Sequence, residues 1–129
     1  MIIHKSHIII IFLYILLVIS CGEKRNIRKL EKFDSSAWIS DKDGCNGTRL
    51  AMKDSLLKAK YRMRGLRIGE IKQLLGNPDA EELSDRNQKY YVYYLEPGPG
   101  CTKGSNSALS LFVRFSAVGI ANELTLKNF

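Results

Sequence analysis

Histidine is nearly missing from this chain: of 129 residues only His4 and His7 carry an imidazole, and both sit in the first seven positions. If that leader is removed, no histidine remains, which excludes Ser-His-Asp and Cys-His catalysis and imidazole-bearing zinc sites. Cysteine is sparse as well, with Cys21, Cys45 and Cys101 and no CxxC spacing to suggest a metal pair or a redox couple. Long apolar runs are limited to one. Ile8 to Ile19 rises about 18 Å as a helix, short of the roughly 30 Å hydrocarbon core, so a lasting membrane span is not expected.

That apolar run has another use. Lys5 precedes it and Val18-Ile19-Ser20-Cys21 closes it, the layout of a secretory signal. Small Ser20 ahead of Cys21 resembles a lipobox, in which the thiol takes a diacylglycerol and cleavage frees the cysteine amine for a further acyl chain. Two or more chains anchor stably, whereas one binds marginally. Residues 1-20 are therefore read as a lipoprotein signal peptide, 21-36 as a lipidated tether, and 37-129 as the folded domain. Gly22 in place of Asp resembles the pattern that permits sorting to an outer membrane, and the expected location is its periplasmic face.

Loss of Lys5 with the leader leaves 19 basic against 13 acidic residues, a net charge of +6. Basic chains invite a nucleic-acid reading. Export disfavours it, and anionic lipid headgroups or an acidic protein become the expected partners. With Cys21 committed to lipid, Cys45 and Cys101 form the remaining pair in an oxidising compartment, and a disulfide is expected. It closes a loop of about 57 residues, worth roughly 4 kcal/mol in the chain-entropy model.

Along the chain, the tether is dense in Lys and Arg, and Trp38 and Ile39 begin the domain. Asp41 to Gly47 superficially resembles a calcium loop but fails the template, with Asn46 at the sixth position and Met52 at the twelfth. It reads instead as a turn into a helix, with Thr48 or Asn46 as N-cap. From Arg49 to Met63, Met52, Leu56, Ala59 and Met63 recur at helical spacing. Lys58, Lys60, Arg62, Arg64 and Arg67 crowd its far end, either as a solvated face or as a binding patch. Ile68, Ile71, Leu74 and Leu75 mark a second helix, stopped by Gly76-Asn77-Pro78.

Three strands follow. Tyr90 to Leu95 is aromatic and β-branched, Leu109 to Phe115 alternates at period two, and Ile120 to Leu126 completes the set. The carboxylates between helix and strand, Asp79, Glu81, Glu82 and Asp85, read as a solvated connection. The fold class is α+β, with two N-terminal helices packed on a three-stranded antiparallel sheet in the order α-α-β-β-β.

The second helix also carries a motif: Gly65-Leu66, Glu70-Ile71 and Leu75-Gly76-Asn77-Pro78, followed later by Phe115 to Ile120 with Gly119. These resemble the signature of the SmpA/OmlA (BamE-like) lipoprotein family over about Gly65 to Leu126. Arg86 to Tyr91 and Tyr94 to Gly98 are similar to segments of Bacteroidetes lipoproteins. Arg67 departs from the family pattern, standing where Ser or Thr would cap the helix. The resemblance implies a non-enzymatic lipoprotein without a cofactor or metal, a small scaffold assisting outer-membrane protein assembly or envelope integrity. Two competing readings remain: an inhibitor or ligand-binding module of the same architecture, and an enzyme working through carboxylates alone. The expected partner surface is the aromatic strand and its turn, Tyr90, Tyr91, Tyr93, Tyr94 and Pro97, together with Arg62, Arg64 and Arg67.

Overall fold

A computed structural model of the chain describes residues 7–14, 30, 32–84, 86 and 88–129. Residues 7–14 are helical, and no helix among the described residues is long and apolar enough to cross a membrane. Cys21, the expected lipidation residue, lies outside the described residues, as does most of the 21-36 tether.

Folded structure begins earlier than residue 37. Helix α1 (Ser35–Ser40) is capped by Asp34, whose Oδ1 accepts from the Ala37 N–H at 3.0 Å. Phe33 is buried against fully buried Trp38, ring centroids 5.6 Å apart, and Leu30 packs on the same core. Apolar anchoring at Leu30 and Phe33 is hidden in the sequence by the charged residues around them.

A 3-10 turn (Lys42–Gly44) leads to α2 (Thr48–Ala51), α3 (Lys53–Met63) and α4 (Ile68–Leu75). The single helix expected from Arg49 is thus two, broken at Met52, where φ −85° and ψ 4° leave the helical region. The break lets α2 bury Arg49 while α3 buries Leu56, Ala59 and Met63, the predicted stripe. Neither Thr48 nor Asn46 is the N-cap of α2. Gly47 occupies that position in the left-handed region, and Asp41 reaches across the turn to accept from Arg49 N at 2.9 Å and Asn46 N at 2.8 Å. Helix α4 spans the predicted residues. Arg67 cannot cap it, and Glu70 serves instead by accepting from the Arg67 N–H at 2.7 Å.

The sheet has four strands, one more than expected: β1 (Ala80–Ser84), β2 (Gln88–Tyr94), β3 (Leu109–Phe115) and β4 (Ala121–Asn128), an antiparallel meander in that order. The three predicted strands are β2 to β4. Strand β1 reads Ala-Glu-Glu-Leu-Ser, poor in β-formers, and owes its conformation to pairing with β2, Ala80 opposite Val92 and Glu82 opposite Tyr90. The same segment was expected to be a solvated connection.

Alternation gives the sheet two apolar faces. Tyr91, Tyr93, Leu95, Leu111, Val113, Phe115 and Leu124 meet Trp38, Leu56, Met63, Ile71 and Leu75 in the main core. On the other face Val92, Tyr94, Ala108 and Phe112 form a second, smaller cluster. Phe129 stacks on Phe112 at 5.7 Å and tilts against Tyr94 at 5.8 Å.

Candidate functional site

Chemistry-bearing residues collect at the two ends of the sheet. At the end where β2 finishes and β3 begins, Cys45 and Cys101 are bonded, with Cα atoms 5.5 Å apart, as the sequence predicts. The bond pins the β2–β3 connection to the turn before α2. Gly44 fits there because it has no side chain: its φ is +67°, and a Cβ would stand 2.7 Å from the Glu96 carbonyl oxygen. Gly98 donates its N–H to Asp43 O at 2.9 Å and lies against the Tyr94 ring, where a Cβ would be 2.6 Å away.

Beneath this junction lies a buried ion pair. Arg49 Nη1 donates to Asp79 Oδ2 at 2.5 Å, with side-chain exposures of 2% and 0%. Arg49 also donates to Trp38 O at 3.0 Å and Tyr94 O at 3.2 Å, and its guanidinium lies 5.0 Å from the Trp38 ring centroid. Asp79 accepts in addition from Asp43 N at 3.1 Å and Tyr94 N at 2.9 Å. Asp79 is therefore not part of a solvated connection. Each ion has three hydrogen bonds within the protein, the kind of compensation under which a buried pair can be sustained. These groups join α1, the turn, α2 and β2, and their donors and acceptors are all internal. Among the described residues no three His, Cys, Asp or Glu side chains converge in a metal-holding group.

The predicted tyrosine surface is corrected. Tyr91 and Tyr93 face the helices and are buried, and Tyr94 is buried on the other face under the disulfide-bound loop. Period-two alternation puts half of them in the core, and the second cluster then takes Tyr94. Tyr90 and Pro97 are half-buried, which leaves no contiguous aromatic patch. Burial pushes the Tyr93 hydroxyl well above the usual tyrosine range, reinforced by nearby Tyr91 and Asp79, while it donates to Gly76 O at 3.0 Å. Tyr94 is shifted upward too, first by burial and then by Asp79.

At the opposite end of the sheet the charge is outward. Arg62, Arg64 and Arg67 are all exposed, as a binding patch requires. Beside them a cleft of about 300 Å³ is lined by Lys60 and Tyr61 of α3, Arg64 just past its end, Arg114 of β3, and Asn122, Glu123 and Leu124 of β4. Arg64 Nε donates to Asn122 O at 3.2 Å, Lys60 Nζ lies 5.3 Å from the Tyr61 ring centroid, and Arg114 pairs with Glu123 at 2.9 Å. Glu123 is the single carboxylate among the cleft residues, and it is already matched. The sequence signalled the α3 arginines; Arg114 and Asn122 reach the cleft only through strand pairing. Comparison with protein-family models, curated proteins and solved structures returns no match for this chain.

Proposed function

We propose that this chain is a non-enzymatic lipoprotein of the cell envelope, held to a membrane through Cys21 and working as a small binding or scaffolding module for outer-membrane protein assembly. The observation that carries the binding role is the contrast between the two ends of the sheet. The buried charges Asp41, Arg49 and Asp79 are committed to internal hydrogen bonds, while Arg62, Arg64 and Arg67 are exposed at the surface beside a cationic cleft. A carboxylate enzyme would need an acid or base free to meet a substrate. Both Asp41 and Asp79 instead hold backbone N–H groups in place.

The anchor is tested by growing a bacterial host with an alkyne-bearing palmitate analogue. The wild-type chain is expected to take the label and sediment with membranes, and Cys21→Ser is expected to lose both properties; a labelled Cys21→Ser protein would refute the anchor. The scaffolding role is tested by affinity capture from solubilised membranes. Outer-membrane assembly proteins should be retained by the wild type and lost with the charge reversals Arg62→Glu and Arg64→Glu. Equal retention by both forms would remove the cationic end from the binding role.

A further inference from the structure

Three turns meet at the cationic end. The β1–β2 turn follows the Ser84–Gln88 pair, and the β3–β4 turn lies beyond Phe115 and Ala121, with Lys89 opposite Phe115 tying the two hairpins together. The α3–α4 junction joins them: Gly65 N donates to Ala121 O at 2.7 Å, Ile68 N to Gly119 O at 3.0 Å, and Arg67 bridges to Ile120.

Two of these turns carry apolar side chains in the open. Leu83 is 80% exposed beside one, and Val118 is 81% exposed at the tip of the other. The Val118 turn is tightly closed, Ser116 N donating to Ile120 O at 2.8 Å and Ser116 Oγ accepting from Ile120 N at 3.2 Å. Val118 is thus held outward by the backbone. Around the tips stand the exposed arginines Arg62, Arg64, Arg67 and Arg86. Of the carboxylates described at this end, Glu81 pairs with Lys89 at 2.8 Å, Glu123 with Arg114, and Glu70 with the Arg67 N–H, while Glu82 makes no ion pair among the described residues. Asp85 lies outside the described residues.

We infer that this end of the sheet docks on an anionic bilayer, with Leu83 and Val118 entering the headgroup layer and the arginines pairing with lipid phosphates and carboxylates. Isolated apolar tips ringed by cations suit a membrane interface, where apolar burial and attraction to anionic lipid add. An acidic protein partner would match the arginines, but two separated tips offer it no continuous apolar face to cover. The inference rests on the membrane-anchored reading, since a tethered domain already sits beside lipid. The nine residues from Gly22 to Leu30 span at most about 32 Å, and a domain of this size has a radius of gyration near 12 Å, so a tethered domain can turn this end to the membrane.

The test uses the purified lipidated chain in nanodiscs, with amide hydrogen exchange as the local readout. Discs of phosphatidylcholine are compared with discs in which phosphatidylserine replaces part of it. In the anionic discs, exchange around 64–68, 83–88 and 116–120 is expected to slow about tenfold, with the 96–105 loop unaffected. Leu83→Ser with Val118→Ser, both at largely exposed positions, should abolish that protection while leaving the protein in the disc. Replacing Arg62, Arg64 and Arg67 by Gln, each worth about fivefold in affinity for the anionic surface, should likewise erase the tenfold protection. Identical exchange in both kinds of disc would overturn the inference, as would protection that requires a soluble acidic protein instead of the anionic lipid. Failure of the anchor itself reads differently: the intact mass of the protein would lack acyl chains, and it would not enter neutral discs.

Discussion

Arg49 and Asp79 are thirty positions apart in the chain and 2.5 Å apart in the fold, both sealed from solvent. Through them a helix, a turn, the start of β1 and the end of β2 share one hydrogen-bonded centre. Removing either partner alone strands a buried charge. Asp79→Ala and Arg49→Ala are each expected to lower stability by about 3–5 kcal/mol. The double replacement Arg49→Ala with Asp79→Ala should cost clearly less than the sum of the two single replacements, because no unpaired ion remains. Urea unfolding of the four forms measures the coupling. Additive losses would mean that the two groups act independently.

The disulfide contributes in a different way, by restricting the unfolded chain. Cys45→Ser with Cys101→Ser is expected to lower stability by about 4 kcal/mol, as the chain-entropy model gives for a loop of this length. The loss should appear in the urea midpoint of the oxidised protein on adding dithiothreitol. Because Gly98 lies on the Tyr94 ring, the reduced protein should also show raised reactivity of Tyr94 toward nitration, with Tyr93 unchanged. A midpoint indifferent to reductant would show that the loop is held by its other contacts.

Alkaline pH should destabilise the fold through its buried tyrosines. Tyr93 and Tyr94 both lose protons less readily when folded than the ordinary value of 10.0, chiefly because burial penalises the phenolate. A raised folded pKa means that the unfolded chain releases its protons first. The stabilisation is complete below about pH 10 and is lost as pH rises from there toward the folded values. Unfolding free energy followed by circular dichroism is expected to be flat in this respect up to about pH 9 and to fall beyond pH 10. Tyr93→Phe should reduce the slope, at the cost of the hydrogen bond to Gly76 O. A slope unaltered by Tyr93→Phe would assign the alkaline transition to other groups.

Much of the architecture was legible because it rests on local periodicity. Ile68, Ile71, Leu74 and Leu75 mark α4, and the alternation from Leu109 to Phe115 marks β3 with its observed ends. What escaped depends on partners distant in sequence. The Ala80–Ser84 segment is a strand only because β2 lies beside it, and Asp79, set among other carboxylates, gives no local sign that Arg49 will meet it. The cysteine pairing followed from counting, with Cys21 set aside for lipid in the expected compartment. The tyrosines could not be sorted in the same way, since alternation divides them between two faces and both faces are covered.

The covalent bond between Cys45 and Cys101 also governs how the domain bears load. A pull on the amino-terminal segment would first meet Phe33, α1 and the Asp41 turn, the elements that precede Cys45. There the force passes straight into the loop joining β2 to β3, at the centre of the sheet. Only the stretch ahead of Cys45 can be peeled away one contact at a time. Beyond it the meander must yield as a whole, so the domain resists unravelling by a pull on its amino-terminal side.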